Sequence, residues 1–253
     1  MAAMSKRPPN VWLRGISFAV LLVVWQFAAL LVDPNTLPGP GLVMVSLWAE
    51  IVNGELFYHL TATLGRVAAA FSIAMLLGAI LGVLMGRLPR FDAAADGLLV
   101  VGLNTPALIV IILCYVWMGL TEAAAVLAVV INKVPTVAVT VREGARAIDQ
   151  KLLAVAQVYR LSALRTITHV YIPQLLPYLI ASARGGLSLI WKIVLVVELL
   201  GQSSGIGFKL GTYFQFFDIA SILAYTVAFV AVVFVIETFV MRPLDRHAAR
   251  WHK

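Results

Sequence analysis

Cysteine is almost missing from this chain: Cys114 is the only one in 253 residues, so no intrachain disulfide forms. Its position inside an apolar run makes it a small buried hydrophobe. Charge is scarce as well, at 12% of residues against 62% hydrophobic, which excludes an ordinary soluble globular domain. Lipid is therefore the solvent for most of the chain. The 12 acids are outnumbered by 19 lysines and arginines. These bases lie scattered between apolar runs without interleaved aromatics, which argues against nucleic acid and for a positive-inside topology. The four histidines (His59, His169, His247, His252) sit outside the apolar runs. Beyond the tail pair they have no metal-ligand spacing, so neither a metal nor another cofactor is called for. Nor is a catalytic residue, since no nucleophile or acid pair lines up at one membrane depth. The stretch Gly201-Gln-Ser-Ser-Gly-Ile-Gly-Phe-Lys209 fits no phosphate-loop register, so ATP hydrolysis is not expected of this chain.

What is present is a set of apolar runs, each near the roughly 20 residues that cross a hydrocarbon core of about 30 Å. The reading is all-α, a polytopic membrane protein of about six spanning helices. The first covers Gly15 to Val32. It follows the bases Lys6, Arg7 and Arg14 and is too long for a signal-peptide core, so it is expected to be retained, with the N-terminus inside. A Pro-Gly-rich turn at Leu37 to Gly41 leads to a short interfacial helix that ends at Asn53-Gly54. Further spans are expected at Leu64–Met85, Leu98–Met118, Ala123–Val141, Gln174–Leu200 and Ile219–Met241, the last stopping at Arg242-Pro243. A Gly-Ser-rich loop covers Gly201–Asp218. Pro106 and Pro135 read as kinks within the third and fourth spans, with a hinge as the alternative. Gly78, Gly82 and Gly86 form a stripe that reads as close helix packing rather than a dimer contact. With the N-terminus inside, the N-terminal segment, residues 87–97, residues 142–173 and the tail carry 14 lysines and arginines, whereas the opposite loops carry only Lys209. That asymmetry places both termini in the cytoplasm.

The cytoplasmic loop 142–173 is the one sizeable polar segment. Two short helices are expected there, Gln150–Tyr159 and Ser162–Val170, with Ser162 capping the second and Pro173 ending the elbow. From Ala154 the residues run A-V-A-Q-V-Y-R-L-S-A-L-R-T-I-T-H-V-Y-I-P. This resembles the signature of the permeases of bacterial ABC importers, within them the sulfonate, taurine, nitrate and bicarbonate branch: Glu-Ala-Ala, three residues, Gly, nine residues, Ile-x-Leu-Pro. Ala154, Val155 and Ala156 fall on Glu-Ala-Ala, Arg160 on the Gly, Val170 on the Ile, and Ile172-Pro173 on Leu-Pro. Two positions depart. Ala154 stands where the family has an acid, and Arg160 stands at a glycine turn, where a side chain either carries a backbone cost or forces another shape. Leu37-Pro38-Gly39-Pro40, His59-Leu60 with Leu64-Gly65-Arg66, Thr105-Pro106-Ala107, Glu198-Leu-Leu-Gly201 and Ser204-Gly-Ile-Gly207 extend the resemblance over about residues 15 to 245.

The resemblance implies a single transmembrane permease domain, 1–253, in the inner (cytoplasmic) membrane, in contact with lipid. It also implies two cytoplasmic ATP-binding subunits, a second permease (this chain or a paralogue), and a periplasmic or lipid-anchored solute-binding protein. The elbow residues Ala154, Ala156, Arg160, Ser162, Leu164 and Arg165 would then dock on the ATPase. The solute could be a sulfonate, taurine, nitrate, bicarbonate or a vitamin precursor. Polar or special residues within the spans are candidates for the pathway: Asn104, Pro106, Lys133, Lys192 and Glu198. Snorkelling or a structural bond is the alternative for Lys192, and a structural role for Glu198. The six residues between the last two turn about 240° around a helix, so each has its own partner, a second subunit being one source. A secondary transporter or a membrane-embedded enzyme would be the competing classes; the first would be expected to show an internal repeat, and the two halves here do not resemble each other.

Overall fold

The structure is a computed structural model, and residues 11–52, 54–241 and 243 are described. Lys6, Arg7, Asn53, Arg242 and the tail from 244 onward lie outside the described residues. The described residues form helices and turns and contain no strand. In chain order the helices are α1 (Val11–Leu31), α2 (Pro40–Val52), α3 (Leu56–Arg87), α4 (Pro89–Asn104), α5 (Ala107–Met118), α6 (Glu122–Arg146), α7 (Gln150–Val158), α8 (Ala163–Thr166), α9 (Ile172–Gly201), α10 (Ile206–Gln215) and α11 (Ile219–Ile236). A π-helical turn, Ile167–Tyr171, joins α8 to α9, and a second, Glu237–Met241, extends α11.

Four of these stretches are long and apolar enough to cross a membrane: Leu56–Arg87, Glu122–Arg146, Ala163–Gly201 and Ile219–Met241. The α4–α5 pair is a fifth if taken together, bent by 97° at its break. The apolar stretch Gly15–Leu31 of α1 is shorter than these, so the described helices supply four to five spans where the sequence suggested six. The expectation of one kinked third helix, Leu98–Met118, is corrected. Thr105 (φ −73°, ψ 123°) and Pro106 (φ −59°, ψ 131°) are both extended, because proline drives the residue before it out of the helical region. Two consecutive extended residues turn the chain through a right angle. Pro135, by contrast, stays within a continuous α6. The loop expected at Gly201–Asp218 contains α10.

The chain divides into two compact units, Met1–Leu56 with Leu210–Ala228, and Phe57–Lys209 with Phe229–Lys253. In the first, the Trp25 indole donates to the Pro38 carbonyl (3.2 Å), fixing the turn between α1 and α2. The hydroxyls of Tyr213 and Tyr225 both donate to the Glu50 carboxylate, at 2.6 and 2.9 Å. Most side chains of α1, such as Phe18, Val23, Phe27 and Leu30, are exposed.

The second unit is built on α6 and α9. Val67, Ala70, Ile111, Ala124, Ala128, Ile190, Val194 and Val197 form its main core. The glycine stripe of α3 meets α6: a β-carbon at Gly82 would lie 2.6 Å from the Ala138 carbonyl oxygen and 2.8 Å from Val141 Cβ. At Gly78 it would meet Val137, and at Gly86 Ala145. The stripe is close packing within the chain, as expected. Gly102 meets Pro135 of α6 in the same way, so α4 lies close against that helix.

The two ends of this unit are marked by charge. At one end Arg142 donates to Asp96 (2.6 Å) and Asp92 (3.3 Å), and Arg146 to Asp92 (2.5 Å). At the other, Arg66 donates to Glu122 (2.7 Å) and the Tyr115 hydroxyl to the Val197 carbonyl (2.8 Å). Thus α4 begins beside the last turn of α6, and α5 finishes beside its first. The bent pair runs from one end to the other, which makes it a broken span rather than a re-entrant loop.

Candidate functional site

The elbow follows its local chemistry. The Asp149 carboxylate caps α7 by accepting from the Lys151 N–H (2.8 Å), and the Ser162 hydroxyl accepts from the Arg165 N–H (3.4 Å), the N-cap role expected of it. At the end of α7 the Arg160 N–H donates to the Gln157 carbonyl and the Leu161 N–H to the Ala156 carbonyl, each at 2.9 Å. These two bonds make a Schellman motif, whose left-handed position glycine normally fills. Here Arg160 fills it, at φ 50°. The turn keeps the shape that glycine would allow, and a side chain sits in it. Left-handed backbone costs about 1–2 kcal/mol for an L-residue.

The expected end at Pro173 is corrected, since the helix runs on from the elbow into α9. Proline lacks an N–H, and its ring clashes with the carbonyl four residues back. The π turn Ile167–Tyr171 widens the backbone just before it, with the Ile172 N–H donating to the Ile167 carbonyl. The elbow is tied to α9 by Gln174, whose side chain accepts from the Asp149 N–H (2.9 Å). Arg87 lies 4.8 Å over the Tyr171 ring. Ala156 is buried, whereas Ala154, Arg160, Ser162 and Arg165 are exposed. Val158, Tyr159 and Leu164 are 80, 76 and 71% exposed. Between α7 and α9 lies a mostly apolar cavity of about 600 Å³, lined by Leu152, Tyr159, Leu161, Val170 and Pro177 among others.

At the opposite end stands a buried polar knot. Arg66 Nη1 donates to Glu198 Oε1 (2.7 Å) and the Ser204 carbonyl (2.8 Å), and Nη2 to the Ser204 hydroxyl (2.7 Å). Glu198 Oε2 accepts from the Thr63 hydroxyl and the Gly207 N–H, both at 2.9 Å. Thr63 in turn accepts from the Ile206 N–H (2.8 Å), and His59 Nδ1 from the Gly205 N–H (3.0 Å). Gly205, at φ 110°, aims these amides inward. Glu198 and Thr63 are fully buried, with His59 and Arg66 nearly so. The partner of Glu198 is therefore Arg66 of the same chain, not a group on a second subunit. Three stretches separated in sequence, His59 to Arg66, Glu198 to Gly201 and Ser204 to Gly207, meet in this one knot.

The other proposed pathway residues are spread apart. Asn104 ends α4 and donates to the Val100 carbonyl (2.8 Å), and Pro106 precedes α5 at the break. Lys133 is buried, with its Cε lying where a Gly186 β-carbon would be only 2.7 Å away. Lys192 is exposed on α9, and no hydrogen bond or ion pair to it occurs among the described residues. It opens on a second cavity, of about 460 Å³, with Arg184, Ser188, Trp191, Phe229 and Glu237. A lysine near the middle of a bilayer costs about 2.5–3.5 kcal/mol if it faces lipid, so it calls for a polar surrounding. Arg66, Thr63, Arg184, Ser188, Glu237 and the Asp92–Arg142 cluster went unnoticed as site residues in the sequence. The i, i+4, i+8 spacing of Arg184, Ser188 and Lys192 was a signal that could have found one group of them.

Residues 74–253 match the family described as the binding-protein-dependent transport system inner membrane component. The chain belongs to that family. A Bacillus subtilis protein named as an aliphatic sulfonates transport permease is 30% identical over 95% of this chain and 88% of its own length. The taurine transport system permease of Escherichia coli is 27% identical over 93 and 88%. The nitrate import permease of Synechocystis is 28% identical over 79 and 76%. Among solved structures, an inward-facing form of the MetNI methionine ABC transporter superposes with a TM-score of 0.65 at 18% identity, covering 79% of this chain and 98% of the other. An amino acid ABC transporter gives 0.59 at 19%, covering 77 and 93%. These two share the fold. The family is one of transport subunits, and the chain is a multi-pass membrane protein of it.

Proposed function

We propose that this chain is the permease subunit of an ATP-driven importer, forming the path of a small solute and coupled to a cytoplasmic ATPase through residues 142–173. The observation that carries this reading is the elbow. It is a capped helix–turn–helix at the charged end of α6, with Val158, Tyr159 and Leu164 turned outward. Exposed apolar side chains clustered on a rigid element beyond the membrane edge are what a protein partner covers. Through α9, continuous with the elbow, a push by that partner becomes a displacement of the path.

By the positive-inside rule the elbow end and both termini are cytoplasmic, and residues 1–253 act as one permease domain in the inner membrane. Two ATP-binding subunits supply the hydrolysis. A second permease, this chain or a paralogue, completes the path, and a periplasmic or lipid-anchored binding protein delivers the solute. Ala154, Arg160, Ser162, Leu164 and Arg165 form the docking face, with Ala156 buried beneath it. Asn104, Pro106 and Lys192 border the path, while Lys133 and Glu198 support it from inside the helix bundle. Relatives named for sulfonates, taurine and nitrate support a small solute that carries a negatively charged oxo group, and Lys192 suits that charge.

The test is purification of the tagged chain from its host in mild detergent, with mass spectrometry of what accompanies it. An ATP-binding subunit is expected, and Leu164→Asp with Arg165→Asp is expected to lose it at unchanged melting temperature. Recovery of the intact chain alone, or unaltered association in the double variant, refutes the reading.

A further inference from the structure

On α9, Arg184, Ser188 and Lys192 follow at intervals of four residues, so their side chains rise along one stripe of the helix. All three line the cavity of about 460 Å³. Its other wall is carbon. Trp191 is buried with its ring edge-on to Phe229 (5.7 Å, 81°), and Leu187, Val230 and Val233 complete the lining. At the lower end Arg184 donates to Glu237 (3.0 Å), which balances its charge. Among the described residues the Lys192 ammonium has no ion-pair partner in this cavity. It lies nine residues before Gly201, about 13 Å into the helix at 1.5 Å per residue, farther than a lysine side chain reaches toward that end. Snorkelling to that interface is closed to it.

We infer that this cavity binds the acid group of an organic anion. The Lys192 ammonium and the Ser188 hydroxyl donate to the acid oxygens, and Trp191 and Phe229 pack against the carbon body. The Lys192 ammonium beside the Arg184–Glu237 pair suits a single negative charge. The volume falls in the range of sites for organic ligands, about 300–1,000 Å³, and is several times what a bare inorganic anion fills. The inference rests on the importer reading for its role, as a station on the solute's path. The same chemistry, an acid head on an apolar body, is also that of an anionic lipid, and the experiment separates the two sources.

The full chain, with the subunits that accompany it, is placed in nanodiscs of phosphatidylcholine alone, and binding of benzenesulfonate is titrated by saturation-transfer NMR with nitrate as competitor. Saturable binding is expected, weakened at least tenfold by Lys192→Met and severalfold by Ser188→Ala. Nitrate at equal concentration should displace little of it. No saturable binding, an unchanged affinity in Lys192→Met, or nitrate competing as well as benzenesulfonate overturns the proposal. Native mass spectrometry in discs containing phosphatidylglycerol supplies the other arm. If that lipid is retained by the unaltered chain, lost from Lys192→Met, and blocks benzenesulfonate, the occupant is a lipid and the solute station is wrong. Co-purification of the ATPase with Lys192→Met reports separately on folding and on the importer reading: its loss from the unaltered chain sinks that reading, whatever the cavity binds.

Discussion

Removing the Glu198 carboxylate tests whether the buried knot holds the loop that follows α9. In the structure this side chain is fully buried and receives hydrogen bonds from Arg66, Thr63 and Gly207. Glu198→Ala deletes the acceptor for all three and leaves Arg66, itself 5% exposed, with the exposed Glu122 as its carboxylate partner and the neutral oxygens of Ser204. Removing one partner of a buried ion pair costs about 3–5 kcal/mol. For a chain of this size each kcal/mol moves the midpoint about 2–4 °C, so a fall of about 6–20 °C is expected in a detergent thermal-shift assay. Glu198→Gln keeps the shape but turns an amide NH2 toward either Arg66 or the Thr63–Gly207 donors, and should fall in between. Glu122, 64% exposed, also binds Arg66, yet Glu122→Ala is expected to cost less than about 1 kcal/mol because water replaces it. Replacing both Arg66 and Glu198 by Met removes the orphaned charge and should cost less than Glu198→Ala alone. Limited proteolysis should cut within 201–207 faster in Glu198→Ala. Equal, small shifts for Glu198→Ala and Glu122→Ala would refute the reasoning, because burial would then make no difference.

Two other outcomes follow from backbone and ionisation. Arg160→Gly relieves the left-handed strain at the elbow turn and should stabilise it by about 0.5–1 kcal/mol, seen as slower amide exchange in α7. Burial and the bond to Glu50 raise the Tyr213 phenol above its ordinary value. The folded form thus holds this proton where the unfolded chain, titrating near pH ~10, has lost it, so stability is full below that pH and falls as pH rises above it. Tyr213→Phe should flatten that decline in alkaline melting curves; an identical decline in the variant would assign it elsewhere.

Much was legible in the sequence because the membrane imposes strong local rules. Apolar length and the distribution of lysine and arginine announced a polytopic helical protein, and the spacing from Ala154 to Pro173 announced the elbow and its Ser162 cap. Whether Arg160 would keep the glycine turn or reshape it stayed open in the sequence, and its φ of 50° came from the structure. Glycines at 78, 82 and 86 declared a close helix contact but not its partner, which is α6. Only tertiary structure decided the rest. Pro106 could have kinked a helix or broken it, and the structure shows the break, with Thr105 and Pro106 extended and α4 bent from α5 by 97°. Glu198 read alone as a costly charge in a membrane helix, and nothing near it in sequence revealed that Arg66, 132 residues away, neutralises it. Periodicity reports which residues share a helix face, whereas the group that meets that face comes from a distant part of the chain. That is why Lys192 could be singled out in the sequence, while the cavity it opens on required the fold.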